Sequence, residues 1–282
     1  MRRTRVMGLF LAAAFIVAAF AASSASALPE VGRCVAKANG FYGTNKCGKK
    51  LKEATGTFEW LKGTAGKNKF SASSGEAVLQ GESGTKIVCK LSTATGKYDE
   101  DGTAKAIKGV ESVVATFTEC EDPGIGKICH SGGQAEGTIV TNVLEGELRY
   151  LKKTAPVTVL QELHPTPKTA AFAVFECGLP ASGGIKVTVK EDTGGAPGSK
   201  GGGNCILSTL SEVNVMATSV KDIFKASGPG KQDPQKYLNQ ATKVPPECNL
   251  ETEFAAEPAP YERSTQTEIA EVVSEELLEI KA

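Results

Sequence analysis

The sequence has few of the side chains on which nucleophilic catalysis depends. It contains only two histidines, His130 and His164, and no G-x-S-x-G motif. A catalytic serine or cysteine needs a base within hydrogen-bonding reach. His130 stands in a Gly/Ser-rich turn and His164 precedes Pro165, so we expect both histidines in exposed loops. The sequence therefore predicts no catalytic residue and a protein that is not an enzyme.

Aromatic residues are also scarce, at 6% of the chain with a single tryptophan. Glu119, Glu121 and Asp122 cluster around Cys120, and paired carboxylates are the groups that hydrolyse glycosides. A sugar cleft usually needs aromatic platforms as well, so we interpret this cluster as solvated charge at a turn. A secreted hydrolase whose carboxylates meet only in the folded protein is the alternative hypothesis.

Metal-binding and nucleotide-binding patterns are missing or incomplete. No C-x2-C pair of the kind that binds zinc occurs. Residues 43–49 fit G-x-x-x-x-G-K, but Lys50 follows where the Mg²⁺ ligand should be Ser or Thr. Residues 99–102 resemble part of a calcium loop without its twelve-residue spacing, so we interpret them as a hairpin turn. We predict no metal and no cofactor.

The chain has no excess of basic residues, with 32 Lys and Arg against 32 Asp and Glu. A nucleic-acid partner would require a basic patch, so none is expected. The acidic residues are concentrated at the end, because residues 232–282 contain 11 acidic and 4 basic side chains. We treat this part as an acidic C-terminal segment.

Only one long apolar run occurs, and it stands at the N-terminus. Arg2, Arg3 and Arg5 precede an apolar run over residues 6–22, and a small-x-small site follows at Ala25 and Ala27. This order is typical of a cleavable secretory signal peptide, here residues 1–27. We therefore predict a secreted or cell-envelope protein with no stable membrane span after cleavage.

The part of the chain that we predict to be exported, beyond residue 27, is rich in cysteine. Its eight cysteines lie beyond residue 27, and an even number in an exported chain indicates a disulfide framework. The cysteines are Cys34, Cys47, Cys89, Cys120, Cys129, Cys177, Cys205 and Cys248. Short separations favour Cys34 with Cys47 and Cys120 with Cys129. We expect four bridges, with Cys248 joined to Cys89, Cys177 or Cys205.

Alternation with a period of two dominates the rest of the chain. Inward and outward residues alternate over 113–118, 144–150 and 185–190, which is typical of half-buried strands. Further strands are predicted at 56–61, 76–80, 85–91, 137–143, 156–163, 169–177 and 206–218. Turn signals such as Asp122-Pro123-Gly124 separate them. The predicted fold is all-β and mainly antiparallel, a sandwich or barrel with disulfides.

Residues 28–231 form the predicted β-rich, disulfide-bonded domain. Residues 226–246 hold four prolines and little hydrophobicity, so we interpret them as a loop or linker. Residues 265–273 and 277–282 are predicted as two final strands. Together with the Cys248 bridge, these strands would pin the acidic segment 232–282 to an existing sheet edge.

Several blocks of the sequence resemble a group of secreted, disulfide-containing bacterial β proteins that have no established function. The resemblance spans most of the chain beyond residue 27. It is carried by the spacing of Cys34 and Cys47, Phe58-Glu59-Trp60, the strand 116–120 followed by Cys129, the block 137–148, and residues 278–282. It implies the compartment and the extent of the folded unit, and no activity.

Taken together, the sequence predicts an exported, non-enzymatic binding or structural module, monomeric and of unknown partner. Besides the hydrolase, a second alternative is a barrel that encloses a small apolar ligand. That alternative predicts a closed cavity lined by inward Val, Ile, Leu and Phe.

Overall fold

A computed structural model describes residues 28–99, 107–179, 183–191, 205–238, 247–255 and 260–282. The predicted signal peptide at 1–27 and most of the turn at 99–102 lie outside these ranges. None of the described residues forms a helix of the length and apolarity that crossing a bilayer requires.

The described residues form strands and no helix, which confirms the predicted all-β, antiparallel class. The seventeen strands are β1 (Glu30–Gly40), β2 (Gly56–Leu61), β3 (Lys69–Ser74), β4 (Ala77–Gly81), β5 (Lys86–Tyr98), β6 (Gly109–Asp122), β7 (Lys127–Ser131), β8 (Ile139–Val140), β9 (Leu144–Lys152), β10 (Thr158–Pro165), β11 (Ala173–Cys177), β12 (Ile185–Glu191), β13 (Ile206–Leu210), β14 (Met216–Gly228), β15 (Lys231–Asp233), β16 (Leu250–Ala255) and β17 (Glu262–Lys281).

Strand pairing closes the sheet on itself in two rings. The first ring runs β17, β3, β5, β6, β9, β10, β13, β14 and back to β17. The second runs β17, β4, β5, β6, β7, β11, β12, β16 and back to β17. Because β5, β6 and β17 are long enough to belong to both rings, the molecule is one barrel of two tiers. The sequence left sandwich and barrel open, and closed pairing is the barrel pattern.

The inner face of the barrel follows the predicted alternation. Leu144, Leu148 and Tyr150 of β9 are buried, and Val187 and Val189 of β12 are buried. In β6 the alternation changes phase twice, at Ser112 and Glu119, which have φ values of 53° and 53°. At each of these irregularities, inward residues are spaced by three instead of two, which is the effect of a bulge.

Some predicted strand bounds were wrong, for local reasons. The single strand predicted over 206–218 is divided into β13 and β14, because Glu212 and Asn214 adopt φ values of 58° and 61° in a turn. The predicted loop at 226–246 contains the end of β14 and all of β15, which pair as a hairpin. β1, β3, β7 and β16 were not predicted, and β3 consists largely of Ser and Lys, which gives a weak strand signal. The two predicted C-terminal strands are one continuous strand, β17.

All eight cysteines form disulfides, in the pairs Cys34–Cys47, Cys89–Cys120, Cys129–Cys177 and Cys205–Cys248. The predictions for Cys34–Cys47 and for Cys248 are confirmed. The predicted Cys120–Cys129 bridge is wrong.

The sheet register explains the error. Cys120 lies opposite Cys89 across β5 and β6, and Cys129 lies opposite Cys177 across β7 and β11. A Cys120–Cys129 bridge would leave Cys89 and Cys177 three strands apart, about 14 Å at the usual strand spacing. That separation exceeds the reach of a disulfide. Only the observed pairing lets all four thiols bond.

β17 occupies a central place rather than an edge. It pairs with β1, β3 and β4 and with β14 and β16, so both of its edges are hydrogen-bonded. The acidic segment 232–282 thus contributes one of the three strands that belong to both rings, and the predicted addition to an existing sheet edge is wrong in this respect.

Candidate functional site

Small side chains on one wall leave space inside the barrel. Ala72, Ala94 and Ala115 lie in register across β3, β5 and β6, and all three face inward. A row of methyl groups cannot fill the space between opposite walls of a closed barrel. The result is an interior cavity of about 180 Å³.

The cavity is lined mainly by apolar side chains from both tiers. They include Val113, Phe117, Leu148, Phe175, Val189 and Phe224. Most of these residues belong to the continuous hydrophobic core of the barrel. Such a mainly apolar space favours an apolar occupant.

Polar side chains form a band across one part of this interior. Six inward-facing polar residues stand on six successive strands of the first ring, β10, β13, β14, β17, β3 and β5. We call this set the polar band, and it comprises Gln161, Ser208, Asp222, Glu268, Ser74 and Ser92. Four of them line the cavity, while Ser208 shares a strand face with Ile206 and Leu210, and Ser74 shares one with Phe70 and Ala72. Polar groups converging in an apolar space are typical of sites that orient a ligand.

The Glu268 carboxylate is well supplied with hydrogen bonds. Its Oε2 accepts from the Ser92 hydroxyl at 2.6 Å and from the Ser74 hydroxyl at 2.9 Å. Its Oε1 accepts from Nε2 of Gln266 at 2.5 Å. The two serine hydroxyls also lie 2.8 Å apart. These contacts hold Glu268 in one orientation.

Asp222 differs, because part of its carboxyl has no partner. Oδ1 of Asp222 and Oγ of Ser208 are both buried and have no hydrogen bond among the described residues. Burial is the main cause that raises the pKa of Asp222, and the Glu268 charge adds to it, while the Ser208 hydroxyl and the Ile223 N–H lower the pKa; together these effects bring it to about 7. The Ser208 hydroxyl thus lies close to the carboxyl without ordinary hydrogen-bond geometry. The side chain as a whole is half-buried because it borders the cavity.

The two carboxyls are neighbours on one wall. β14 pairs with β17 so that Asp222 lies opposite Ala270 and Phe224 lies opposite Glu268. Asp222 and Glu268 are therefore diagonal neighbours, whose Cα atoms are typically about 7–8 Å apart in a sheet. Among the described residues that line the cavity, none is Lys, Arg or His. The interior thus carries acidic groups without a basic counterpart.

A surface groove lies against the cavity where strand pairing lapses. β17 pairs with β4 through Thr267 and with β3 from Ala270 onward, which leaves residues 268–269 unpaired on that edge. The groove there is lined by Gly75, Glu76, Lys225, Ala226, Thr267 and Ile269, and it shares Phe224 and Glu268 with the cavity. Phe224 and Glu268 separate the cavity from solvent at this point.

The two histidines do not lie in exposed loops, so that expectation was wrong. His164 is in β10 and is 6% exposed, with its Nδ1 3.7 Å from Oε1 of Glu145. His130 is in β7 and is half-buried. Pairing with β9 extends β10 as far as Pro165, which draws His164 into the sheet. Neither histidine lines the cavity.

The acidic cluster near Cys120 is only partly solvated, because Glu119 and Glu121 are exposed while Asp122 is 2% exposed in the turn. Oδ1 of Asp122 accepts the N–H groups of Gly124 and Ile125 in the turn. Glu119 pairs with Lys90 at 2.8 Å on the exterior. Neither residue lines the cavity.

Two other patterns from the sequence have structural roles or lie elsewhere. In the G-x-x-x-x-G-K match, Cys47 is bonded to Cys34. Glu162 lies within 4.8 Å of the sulfurs of Cys205 and Cys248, but those sulfurs are bonded to each other and offer no thiolate. Most of the turn at 99–102 lies outside the described residues.

Sequence reasoning missed Asp222 and Glu268, although one signal was present. Val220, Asp222 and Phe224 share one face of a strand, so the carboxyl interrupts an apolar alternation. A carboxyl at an inward position is a marker of function or of strain. Asp222 lies near Glu268 only because two strands pair that are 46 residues apart in the sequence. A local sequence pattern does not predict such pairing.

Comparison of the chain with models of protein families, with curated protein sequences and with solved structures finds no match.

Proposed function

We propose that the protein is a non-enzymatic binding protein that holds a small, mainly apolar molecule inside its barrel. The observation that carries this proposal is the apolar interior cavity of about 180 Å³. A close-packed interior rarely keeps a void of this size, since each unfilled space costs dispersion contacts and hydrophobic stabilisation. A protein that keeps such a space gains the lost contacts back when a ligand occupies it.

The size of the cavity limits the ligand. A cavity of about 150 Å³ lined by apolar side chains binds benzene in another protein. The space here suits a molecule of about ten non-hydrogen atoms. Small ligands gain at most about 1.5 kcal/mol per atom and drug-sized ones about 0.3 kcal/mol. A nine-atom ligand at about 0.6 kcal/mol per atom would have a Kd on the order of 100 μM.

The compartment fits such a role. Several disulfides indicate an oxidising, exported environment. We propose that the protein acts after secretion, at or beyond the cell envelope, and meets its ligand there. The groove beside Phe224 and Glu268 is the proposed entry, because strand pairing lapses there.

The hydrolase hypothesis receives less support from the same residues. It requires two carboxyls that flank a scissile bond, on either side of a cleft. Asp222 and Glu268 stand side by side on one wall, and Glu268 is held by three hydrogen bonds. We therefore favour binding over catalysis.

Calorimetric titration with octan-1-ol tests the proposal. The nine-atom alcohol should bind the wild-type protein with one site per chain. Ala94→Leu places extra carbon atoms in the middle of the alanine row and should weaken binding at least tenfold while retaining the melting temperature. Thr93→Leu adds similar apolar volume on the exposed face of the same strand and should leave binding unchanged.

The outcomes separate cleanly. Binding by the wild type and by Thr93→Leu, together with loss in Ala94→Leu, supports the cavity as the site. Equal binding by Ala94→Leu, or no binding of octan-1-ol to the wild type, overturns the proposal. Ala115→Val is a smaller filling substitution that keeps the test usable if Ala94→Leu does not fold.

A further inference from the structure

We infer that the polar band selects, among small apolar molecules, those that carry a protonated amine or a comparable cationic donor. This inference rests on the proposed binding function and names the class of ligand. It is carried by three observations, namely the charge of the cavity wall, the incompletely hydrogen-bonded carboxyl of Asp222, and the position of Glu268.

The first observation is the charge of the lining. Two carboxyls, Asp222 and Glu268, border the cavity, and no basic side chain does so among the described lining residues. An isolated negative charge in an apolar space is unfavourable unless a positive group accompanies it. A cationic ligand supplies that missing partner.

The second observation is unused hydrogen-bonding capacity. Oδ1 of Asp222 and Oγ of Ser208 are buried without a hydrogen bond among the described residues. Ser208 is 0% exposed and does not line the cavity, so its hydroxyl faces only neighbouring protein atoms. An ammonium group has three donors and no acceptor. It can donate to the Asp222 carboxyl, which borders the cavity.

The third observation concerns Glu268, whose orientation is already fixed by Ser74, Ser92 and Gln266. Its charge therefore contributes without further loss of side-chain freedom. Pre-organisation of this kind increases affinity because the ordering cost is met before the ligand arrives.

The same wall disfavours carboxylates. A fatty acid anion would bring a third negative charge beside Asp222 and Glu268 and would find no basic residue in the lining. Like charges at short range in a poorly hydrated site repel strongly. An alcohol lies between the two cases, because it can donate one hydrogen bond but carries no charge.

Binding of an amine should also depend on pH. The titratable group that faces Asp222 from a neighbouring strand is Glu268, and the cavity lining contributes no cation. Because the pKa of Asp222 in the empty cavity is about 7, an ammonium ion that pairs with it displaces the carboxyl proton to solvent. The affinity for an amine should therefore rise from pH 5.5 to pH 8, while the affinity for an alcohol should stay constant.

Three ligands of matched length test the inference on the full secreted chain. Octylamine, octan-1-ol and octanoate differ only in the head group and are titrated by calorimetry at pH 7.5. We expect octylamine to bind at least tenfold more tightly than octan-1-ol, and octanoate at least tenfold more weakly. Asp222→Asn should reduce the amine preference to threefold or less, because the amide carries no charge. Glu271→Gln removes an exposed carboxyl on the outer face of β17 and should keep the preference.

Failure of the inference differs from failure of the binding function. If octan-1-ol and octanoate bind as well as octylamine, the cavity binds apolar molecules without the proposed selectivity and the inference is wrong. If none of the three compounds binds, the proposed function itself fails. If Glu271→Gln loses the preference as fully as Asp222→Asn does, the amine binds the acidic exterior and the inference also fails.

Discussion

At the scale of single residues, Asp222 is an acid on the cavity wall whose ionisation should oppose folding. Burial raises its pKa from an ordinary value of 3.8 to about 7. Between these two values the unfolded chain has lost the proton and the folded chain has kept it. The contribution of Asp222 to stability is therefore complete below about pH 4 and is lost as the pH rises through 7.

Replacing Asp222 by Asn should remove this dependence. The amide has the same shape and stays neutral, so the variant should match the wild type near pH 4 and exceed it by a few kcal/mol of unfolding free energy at pH 8. Urea unfolding at several pH values measures the difference. A difference that is the same at pH 4 and pH 8 would show that folding does not raise the pKa of Asp222.

At the scale of elements, the far part of β17 is fastened to the loop between β2 and β3. Oε2 of Glu276 accepts the Thr64 hydroxyl at 2.7 Å, and Oε1 accepts the Thr64 N–H. Arg33 lies 3.6 Å from the same carboxylate. Burial raises the pKa of Glu276, but the Thr64 hydrogen bonds and the charges of Arg33 and Lys67 outweigh it, so the pKa is lowered overall.

Glu276→Gln should weaken this connection. Loss of the charge-assisted hydrogen bonds should cost about 1 to 2 kcal/mol of unfolding free energy at pH 7. Because the folded pKa is lowered, the contribution of Glu276 is present above the ordinary glutamate pKa and disappears as the pH falls below it. The wild type and the variant should thus converge near pH 3 in urea unfolding. Glu271→Gln, the exposed control on the same strand, should change stability by less than about 0.5 kcal/mol at either pH.

Elements were predictable from sequence where one face of a strand is apolar and the other polar. β9 and β12 follow this pattern, and burial of Leu148 and Val187 matches the predicted phase. β3 was missed because its inward residues, such as Ala72, are small, and those same residues create the cavity. The strand pattern in the sequence is thus weak at the alanine-rich wall of the cavity, on which the proposed site depends.

The cysteine pairing shows a second limit of local pattern. Cys34 and Cys47 close a short loop and were predictable from separation alone. Cys120 has two candidate partners, because Cys89 lies opposite it on β5 and Cys129 is close to it in the sequence. The choice between these partners depends on the order of β5, β6, β7 and β11 in the sheet. The same holds for Asp222 and Glu268, which meet only because β14 pairs with β17.

At the scale of the whole molecule, β5, β6 and β17 run through both tiers of the barrel. A tier that unfolded alone would have to break pairing along half of each shared strand and expose the continuous apolar interior. Exposing this apolar surface would cost more free energy than the unfolded tier would gain in chain entropy. We therefore expect both tiers to unfold in one cooperative transition.

A substitution in the second ring should accordingly be detected by a probe beside the end of β17 that pairs with β14 of the first ring. Val187 is 0% exposed in the second ring, where it lies opposite Phe175 and Phe254. Trp60, the single tryptophan, packs beside the end of β17, with Nζ of Lys281 4.5 Å from its ring centre. Val187→Ala removes two buried methyl groups and should cost about 2 kcal/mol. The urea midpoint measured by Trp60 fluorescence should fall by the same amount as the midpoint measured by far-ultraviolet circular dichroism.

Val174→Ala is the matched control, because Val174 lies on the neighbouring strand β11 and is 40% exposed. Measured by either probe, it should change the free energy of unfolding by less than about 0.5 kcal/mol. If Val187→Ala instead lowers the circular dichroism midpoint and leaves the Trp60 fluorescence midpoint unchanged, the tiers unfold separately. In that case β17 does not couple them, and the two rings behave as independent units despite their shared strands.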